Sequence, residues 1–224
     1  MSVRLAIFDC DGTLVDGQAN ICVAMEAAFD RAALVPPPRP AIRRIVGLSL
    51  VEALAILLPA ADAVEHQRLA IAYKDEYARL RMAGAIGEEP LFDGIDLIVA
   101  ELAAAGWLLG VATGKSDRGL ARVLAAHDLT RHFVTLQTAD RHPSKPHPAM
   151  IEACLAETGA LPQDTVMIGD TSFDIAMARA AGVRAVGVAW GYHLPAELVA
   201  AGAHVVVEQV ADLPLNLIEA SEVR

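Results

Sequence analysis

What this sequence lacks narrows its class before any motif is read. It has three cysteines, Cys10, Cys22 and Cys154, an odd count with no CxxC pair. Neither a disulfide framework nor a cysteine-based structural zinc site fits that pattern, whereas a reducing compartment does. Positive charge is also scarce: 18 Lys and Arg stand against 28 Asp and Glu, a formal net charge of −10. With no basic stripe to meet a phosphate backbone, nucleic acid is not expected as a partner. No apolar run reaches the length of a membrane span, and the first strand pattern begins too close to Met1 for a signal peptide. The chain therefore reads as a soluble cytoplasmic protein. What it does have is apolar content, 54% of 224 residues, enough for one sizeable core with an insertion or for two small ones.

The apolar residues follow two patterns. Short, largely apolar runs occur at Val3–Phe8, Trp107–Ala112, Phe133–Leu136, Thr165–Ile168, Val183–Val188 and, more weakly, His204–Val207. From residue 95 onward, segments with helical spacing alternate with these runs, near residues 95–105, 118–126, 149–157 and 173–181. That alternation predicts a doubly wound, Rossmann-like parallel α/β sheet covered on both faces. Residues 17–84 break the alternation. A helical pattern over 18–34 meets Pro36-Pro37-Pro38-Arg39-Pro40, and the apolar positions of 41–84 recur at helical intervals. The expected organisation is an α/β core, residues 1–16 and 85–224, with an all-helical cap inserted at 17–84.

The strand ends carry the candidate chemistry. The first runs into Asp9-Cys10-Asp11-Gly12-Thr13, and strand alternation sends Asp9 and Asp11 to one side while Cys10 points away. Two carboxylates held this close persist where a cation, a shared proton or catalysis compensates their repulsion. The second strand leads to Thr113-Gly114-Lys115-Ser116, a hydroxyl and a glycine N–H at a helix start, suited to an anion. Beyond the third comes Ser144-Lys145-Pro146-His147-Pro148, and the fourth leads to Gly169-Asp170-Thr171-Ser172-Phe173-Asp174. Ligands bind at this edge of open parallel sheets. Taken singly, each tail has a plain structural reading: Thr113 a loop hydroxyl, Lys145 a solvated charge, Asp170 a helix cap. Gly114-Lys115-Ser116 does not complete a P-loop, whose first glycine would fall at Leu109, and Gly187 and Gly191 lack dinucleotide-site spacing.

The order of the motifs is more informative than any one of them. Asp-x-Asp-Gly-Thr, Thr-Gly, Lys-Pro and Gly-Asp-x-x-x-Asp, each after a strand, resemble the four-motif pattern of the haloacid dehalogenase superfamily. The resemblance spans essentially the whole chain, because the helical block sits where one branch carries its cap. Asp9 to Asp16, Ser144 to Pro148 and Trp190-Gly191-Tyr192 look most like the phosphoglycolate phosphatase group. The resemblance implies a magnesium-dependent phosphatase for a small phosphorylated metabolite. Asp9 would be the nucleophile and Asp11 the acid and base; Thr113, Gly114 and Lys145 would bind the phosphate. Mg2+ would be held by Asp9, the Asp11 main-chain carbonyl and Asp170, with Asp174 orienting its neighbours.

Departures from related patterns are equally specific. A dehalogenase or phosphonatase would lack Asp11. A β-phosphoglucomutase-like enzyme would carry a histidine where Ile21 stands and an arginine where Leu50 follows Gly47-Leu48-Ser49. A phospho-accepting receiver domain, also built on Asp, Thr and Lys, would place no acids after the lysine. The expected substrate is thus a compact ester such as 2-phosphoglycolate, with Arg43, Arg44, Ser49, Lys74 and Arg79 as cap residues able to face it. His147 lies near the proposed site, where it can equally begin a helix.

Overall fold

The computed structural model describes residues 3–222. At its centre is a six-stranded parallel sheet of β1 (Leu5–Phe8), β2 (Leu108–Thr113), β3 (Phe133–Thr138), β4 (Thr165–Gly169), β5 (Arg184–Val188) and β6 (Val205–Val207). The spatial order is β3-β2-β1-β4-β5-β6. Both faces are covered, which is why the strands are apolar almost throughout. Leu5 and Ile7 pack with residues of α7 (Ala149–Thr158) and α8 (Ser172–Ala180), and Leu198 of α9 (Pro195–Ala200) joins that layer. Ala6, Phe8 and Cys10 turn to the opposite layer, built from α5 (Ile95–Ala104), α6 (Asp117–Ala126) and α10 (Leu213–Glu222). From β1 the winding runs outward in both directions, so the loops at its carboxyl end diverge and leave a crevice.

Between β1 and α5 the chain leaves the sheet for four helices, α1 (Gln18–Arg31), α2 (Arg39–Arg44), α3 (Leu50–Leu57) and α4 (Ala63–Met82). Met25, Phe29, Ile42, Leu54 and Leu69 give this insertion a buried core of its own. α1 stops three residues before the Leu34 expected from its spacing. Ala33 adopts φ 56°, and the Leu34 N–H bonds the Phe29 carbonyl at 2.9 Å, a left-handed closure that ends the helix before the prolines are reached. α2 then begins with Pro40 in its first turn, where a missing N–H costs nothing. At α4, Asp62 accepts from the Glu65 N–H at 2.9 Å and caps the start. α9, α10 and three single-turn helices were not expected from the sequence; among the described residues, no helix is long and apolar enough to cross a membrane.

Candidate active site

The carboxyl ends of β1 and β4 and the segment after β3 converge on one buried cluster. Asp9 follows β1 directly, its N–H bonding the Ile168 carbonyl at 2.9 Å, so the backbone is fixed by the sheet up to the carboxylate. Its Oδ1 accepts from the Cys10 N–H at 2.6 Å and lies 2.8 Å from Lys145 Nζ. Its Oδ2 is buried and has no hydrogen-bond donor. Lys145 is only 2% exposed and makes a second ion pair, at 2.6 Å, with Asp174 Oδ1. Asp174 Oδ2 in turn accepts from the Thr171 N–H and hydroxyl, at 3.0 and 2.7 Å, in the capping box that starts α8. Asp170 accepts from the Thr13 hydroxyl at 2.9 Å and from the Tyr192 N–H at 2.8 Å. Gly12, at φ 84°, is required here, since a Cβ would meet Asp170 Oδ2 at 2.1 Å.

Asp9, Asp170 and Asp174 can each present an oxygen within 4.8 Å of the others, all three buried, an arrangement able to hold a metal ion. Three clustered carboxylates, two of them paired with the single ammonium of Lys145, leave two negative charges uncompensated, and the unpaired Asp9 Oδ2 is the kind of atom a divalent cation satisfies. The strain shows in the acidities. Burial, opposed by Lys145 and reinforced by Asp174 and Asp11, pushes the Asp9 carboxyl up to about 7. Burial and the charges of Asp174 and Asp9 hold Asp170 well above the usual carboxylate range. Lys145 moves up despite its burial, because Asp174 and Asp9 outweigh it.

A second ionic group lies beside the first. Asp11 Oδ1 is 2.6 Å from Lys115 Nζ, which also lies 3.0 Å from Glu89 Oε2, and the Tyr77 hydroxyl of α4 donates to Glu89 Oε1 at 2.5 Å. Burial raises the Asp11 pKa against the pull of Lys115. Glu89 is also buried, yet Lys115 and Tyr77 together lower it. Neither Lys115 nor Glu89 was singled out from the sequence for a role. Replacing Lys115 by Met is expected to cost about 3 kcal/mol in urea unfolding, because it strands two carboxylates without their shared cation. Adding Glu89→Gln should recover part of that loss.

Thr113 closes β2, buried, its Oγ1 accepting from the Lys115 N–H at 3.2 Å. At Gly114 a Cβ would meet the carbonyl oxygens of Leu48 and Gly47 at 2.5 and 2.6 Å, so the loop before α3 lies directly over this turn. That loop is held there: the Ser49 N–H donates to Ser144 Oγ at 2.8 Å, and Ile45, Leu48 and Ala53 pack with Phe173 of the core. A cavity of about 820 Å3 lies between the helical insertion and the sheet edge, reaching Asp11, Gly114 and Lys115. Of the insertion residues expected to face a substrate, Ser49 and Lys74 line it. Arg44 instead spans to Glu197 of α9 at 2.6 Å, and Arg79 pairs with Glu76 on its own helix, because their turns face other partners. Arg43 interacts with Cys22 of α1. His147 takes the plainer of its two readings, its Nδ1 accepting from the Ala149 N–H at 3.2 Å at the start of α7.

Comparison with known proteins agrees with this geometry. The model of the haloacid dehalogenase-like hydrolases matches residues 6–188. The chain belongs to that family. It is 35% identical over 213 residues to "Probable phosphatase IndB" of Dickeya dadantii, covering 93% of this chain and 91% of that one. It is 33% identical to "Tyrosine-protein kinase PtkA" of Mycobacterium tuberculosis over 85% of this chain, which spans 64% of that longer protein. A phosphoglycolate phosphatase of Xylella fastidiosa is 28% identical, with 84% of this chain and 81% of that one covered. Among solved structures, a predicted phosphatase from Clostridium acetobutylicum shares the fold with a TM-score of 0.87 at 23% identity, over 98% of this chain and 100% of that one. This haloacid dehalogenase-like hydrolase is thus an enzyme with several phosphatase-named relatives.

Proposed function

We propose that this hydrolase is a magnesium-dependent phosphomonoesterase that cleaves small phosphorylated metabolites through an aspartyl-phosphate intermediate. The observation that carries the reading is the asymmetry of Asp9. One carboxylate oxygen is fixed by Lys145 and the Cys10 N–H; the other is free of donors and lies toward Gly47 of the overlying loop, 3.9 Å from where a Cβ on that glycine would stand. A carboxylate with one oxygen anchored and the other open is held in a fixed orientation suited to attack. The ligands proposed for Mg2+ are Asp9, Asp170 and the Asp11 main-chain carbonyl, which accords with the two uncompensated charges and the unpaired oxygen of the cluster. Bound there, the ion would neutralise charge spreading onto the transferring phosphoryl group.

The protein's own groups supply the remaining steps. The Thr113 hydroxyl and Gly114 N–H hold phosphate oxygens, and Lys145 offsets charge between the phosphate and Asp9. The Asp9 carboxylate attacks phosphorus as the ester P–O bond breaks, and the carboxylic acid of Asp11 gives its proton to the departing oxygen. Water, deprotonated by the same Asp11, then attacks phosphorus and releases phosphate and the Asp9 carboxylate. An Asp11 whose affinity for protons is raised by burial is suited to both transfers. Asp174 orients Lys145 with one oxygen and Thr171 with the other. Residues 17–84 serve as the cap, the Gly47–Ser49 loop excluding water from the first step.

Ile21 and Leu50 both line the cavity, so the positions where a sugar phosphomutase would need ionic groups present apolar ones. Rapid acid quench with 32P-labelled ester tests the two-step route: label is expected on the peptide carrying Asp9 during turnover and absent from Asp9→Asn. Phosphate release with no labelled protein at any quench time, from an otherwise active enzyme, would refute the intermediate.

A further inference from the structure

The cavity over Asp11 is larger than a two-carbon acid requires. Its volume of about 820 Å3 lies in the upper part of the range of sites that enclose whole organic ligands. The wall supplied by α1 and the start of α3 is mainly apolar, with Ile21, Met25, Leu50 and Val51, and Ala70 and Tyr73 of α4 extend it, while Glu52, Gln67, Lys74, Asp75 and Arg81 are among the polar groups the insertion also brings to the cavity. These residues meet the part of the substrate beyond the phosphate, because Asp11, which serves the departing oxygen, lines the same space.

The electrostatics at that end point the same way. The cation in contact with Asp11 is Lys115, and it is already shared with Glu89, so the three groups sum to one negative charge in a nearly closed setting. Farther along the wall, Lys74 lies 3.6 Å from Asp140 and Arg81 pairs with Glu88, while Arg118 is exposed on α6 and Arg122 half-buried. The carboxylate of 2-phosphoglycolate is separated from its ester oxygen by one methylene. It would be placed beside Asp11 and Glu89, with the adjacent ammonium already taken.

Resting on the phosphatase reading, we propose that the substrate is a phosphomonoester whose leaving group is bulky and uncharged next to the ester, a ring or branched apolar body, rather than a short carboxylate. Apolar contact with the insertion supplies the selectivity. A methylene's worth of such contact is worth on the order of tenfold in discrimination, and a ring covers several. Tyr73 adds an aromatic face against which a ring can stack.

The test compares benzyl phosphate, ethyl phosphate and 2-phosphoglycolate with the purified protein in Mg2+, all three being alkyl esters so that intrinsic reactivity differs little. The expected order of kcat/KM is benzyl, then ethyl, then phosphoglycolate, with at least a tenfold gap (about 1.4 kcal/mol) between the first and last. Leu50→Arg, which puts a guanidinium into the wall, should narrow that ratio by about tenfold or more. Because both esters are assayed on one enzyme sample, partial loss of folded protein cancels from the ratio. Phosphoglycolate turned over as well as or better than benzyl phosphate, or a ratio unmoved in a folded Leu50→Arg, would overturn the inference and leave the phosphatase reading standing. Hydrolysis of none of the three by wild type would overturn both.

Discussion

Asp9→Asn should lower phosphate-ester turnover by at least about a thousandfold while leaving the fold in place. Asparagine keeps the shape of the side chain and an oxygen able to accept from the Cys10 N–H, but an amide does not attack phosphorus. The change also removes one of the two carboxylates paired with Lys145, leaving Asp174 as its remaining partner at 2.6 Å. Asp9, Asp170 and Asp174 crowd one another, so losing one charge relieves repulsion and stability is not expected to fall. The check is kcat/KM on a hydrolysed ester together with a thermal melt. Near wild-type turnover in a well-folded variant would remove Asp9 as nucleophile, whereas loss of both activity and the folding transition would mark a structural role.

The residues that close an apolar strand were legible from the sequence, and those that depend on a partner from elsewhere in the chain were not. Asp9, Thr113 and Asp170 each follow a run whose strand character is unambiguous, so their placement at one sheet edge follows from the parallel winding. Lys145 is set apart by Lys-Pro rather than by a strand end, and its burial between Asp9 and Asp174 is a tertiary fact. Lys115 drew attention only as part of a P-loop that its spacing rules out. Its role emerges when Glu89, in the irregular stretch after α4, meets it at 3.0 Å with Tyr77 behind. No periodicity marks Glu89, because its position is set by Tyr77 of the insertion and Lys115 of the core. The same limit explains Arg44 and Arg79, cationic residues on helices whose directions became known only with the fold. Tyr192 was noted as part of a loop, but its N–H to Asp170 and its hydroxyl, 3.1 Å from the Gly17 N–H, tie that loop to the acids and to the start of the insertion.

Asp170→Asn should stabilise the metal-free protein and abolish its stabilisation by Mg2+. Burial pushes the Asp9 carboxyl up to about 7 from an ordinary 3.8 and shifts Asp170 in the same direction, as the largest cause for both. A carboxyl raised on folding binds its proton more tightly in the native state than in the unfolded one. Its contribution is complete below the unfolded value and is lost as pH climbs through the folded one. The metal-free wild type should therefore lose stability between about pH 4 and pH 7 through these groups. Asp170→Asn removes one titrating charge and keeps one oxygen, which can accept from the Tyr192 N–H, while its NH2 faces the Thr13 hydroxyl, a group able to accept as well as donate. It should gain on the order of 1–2 kcal/mol near neutral pH and flatten the slope, about 2–8 °C in Tm for a chain of this size. Added Mg2+ should raise the Tm of wild type in proportion to its occupancy and leave the variant nearly unmoved. Calorimetry at pH 5 and pH 8, with EDTA and with Mg2+, reads both arms. A variant less stable than wild type in EDTA would show that the cluster is not electrostatically strained, and an equal Mg2+ response in both proteins would take Asp170 out of the ligand set.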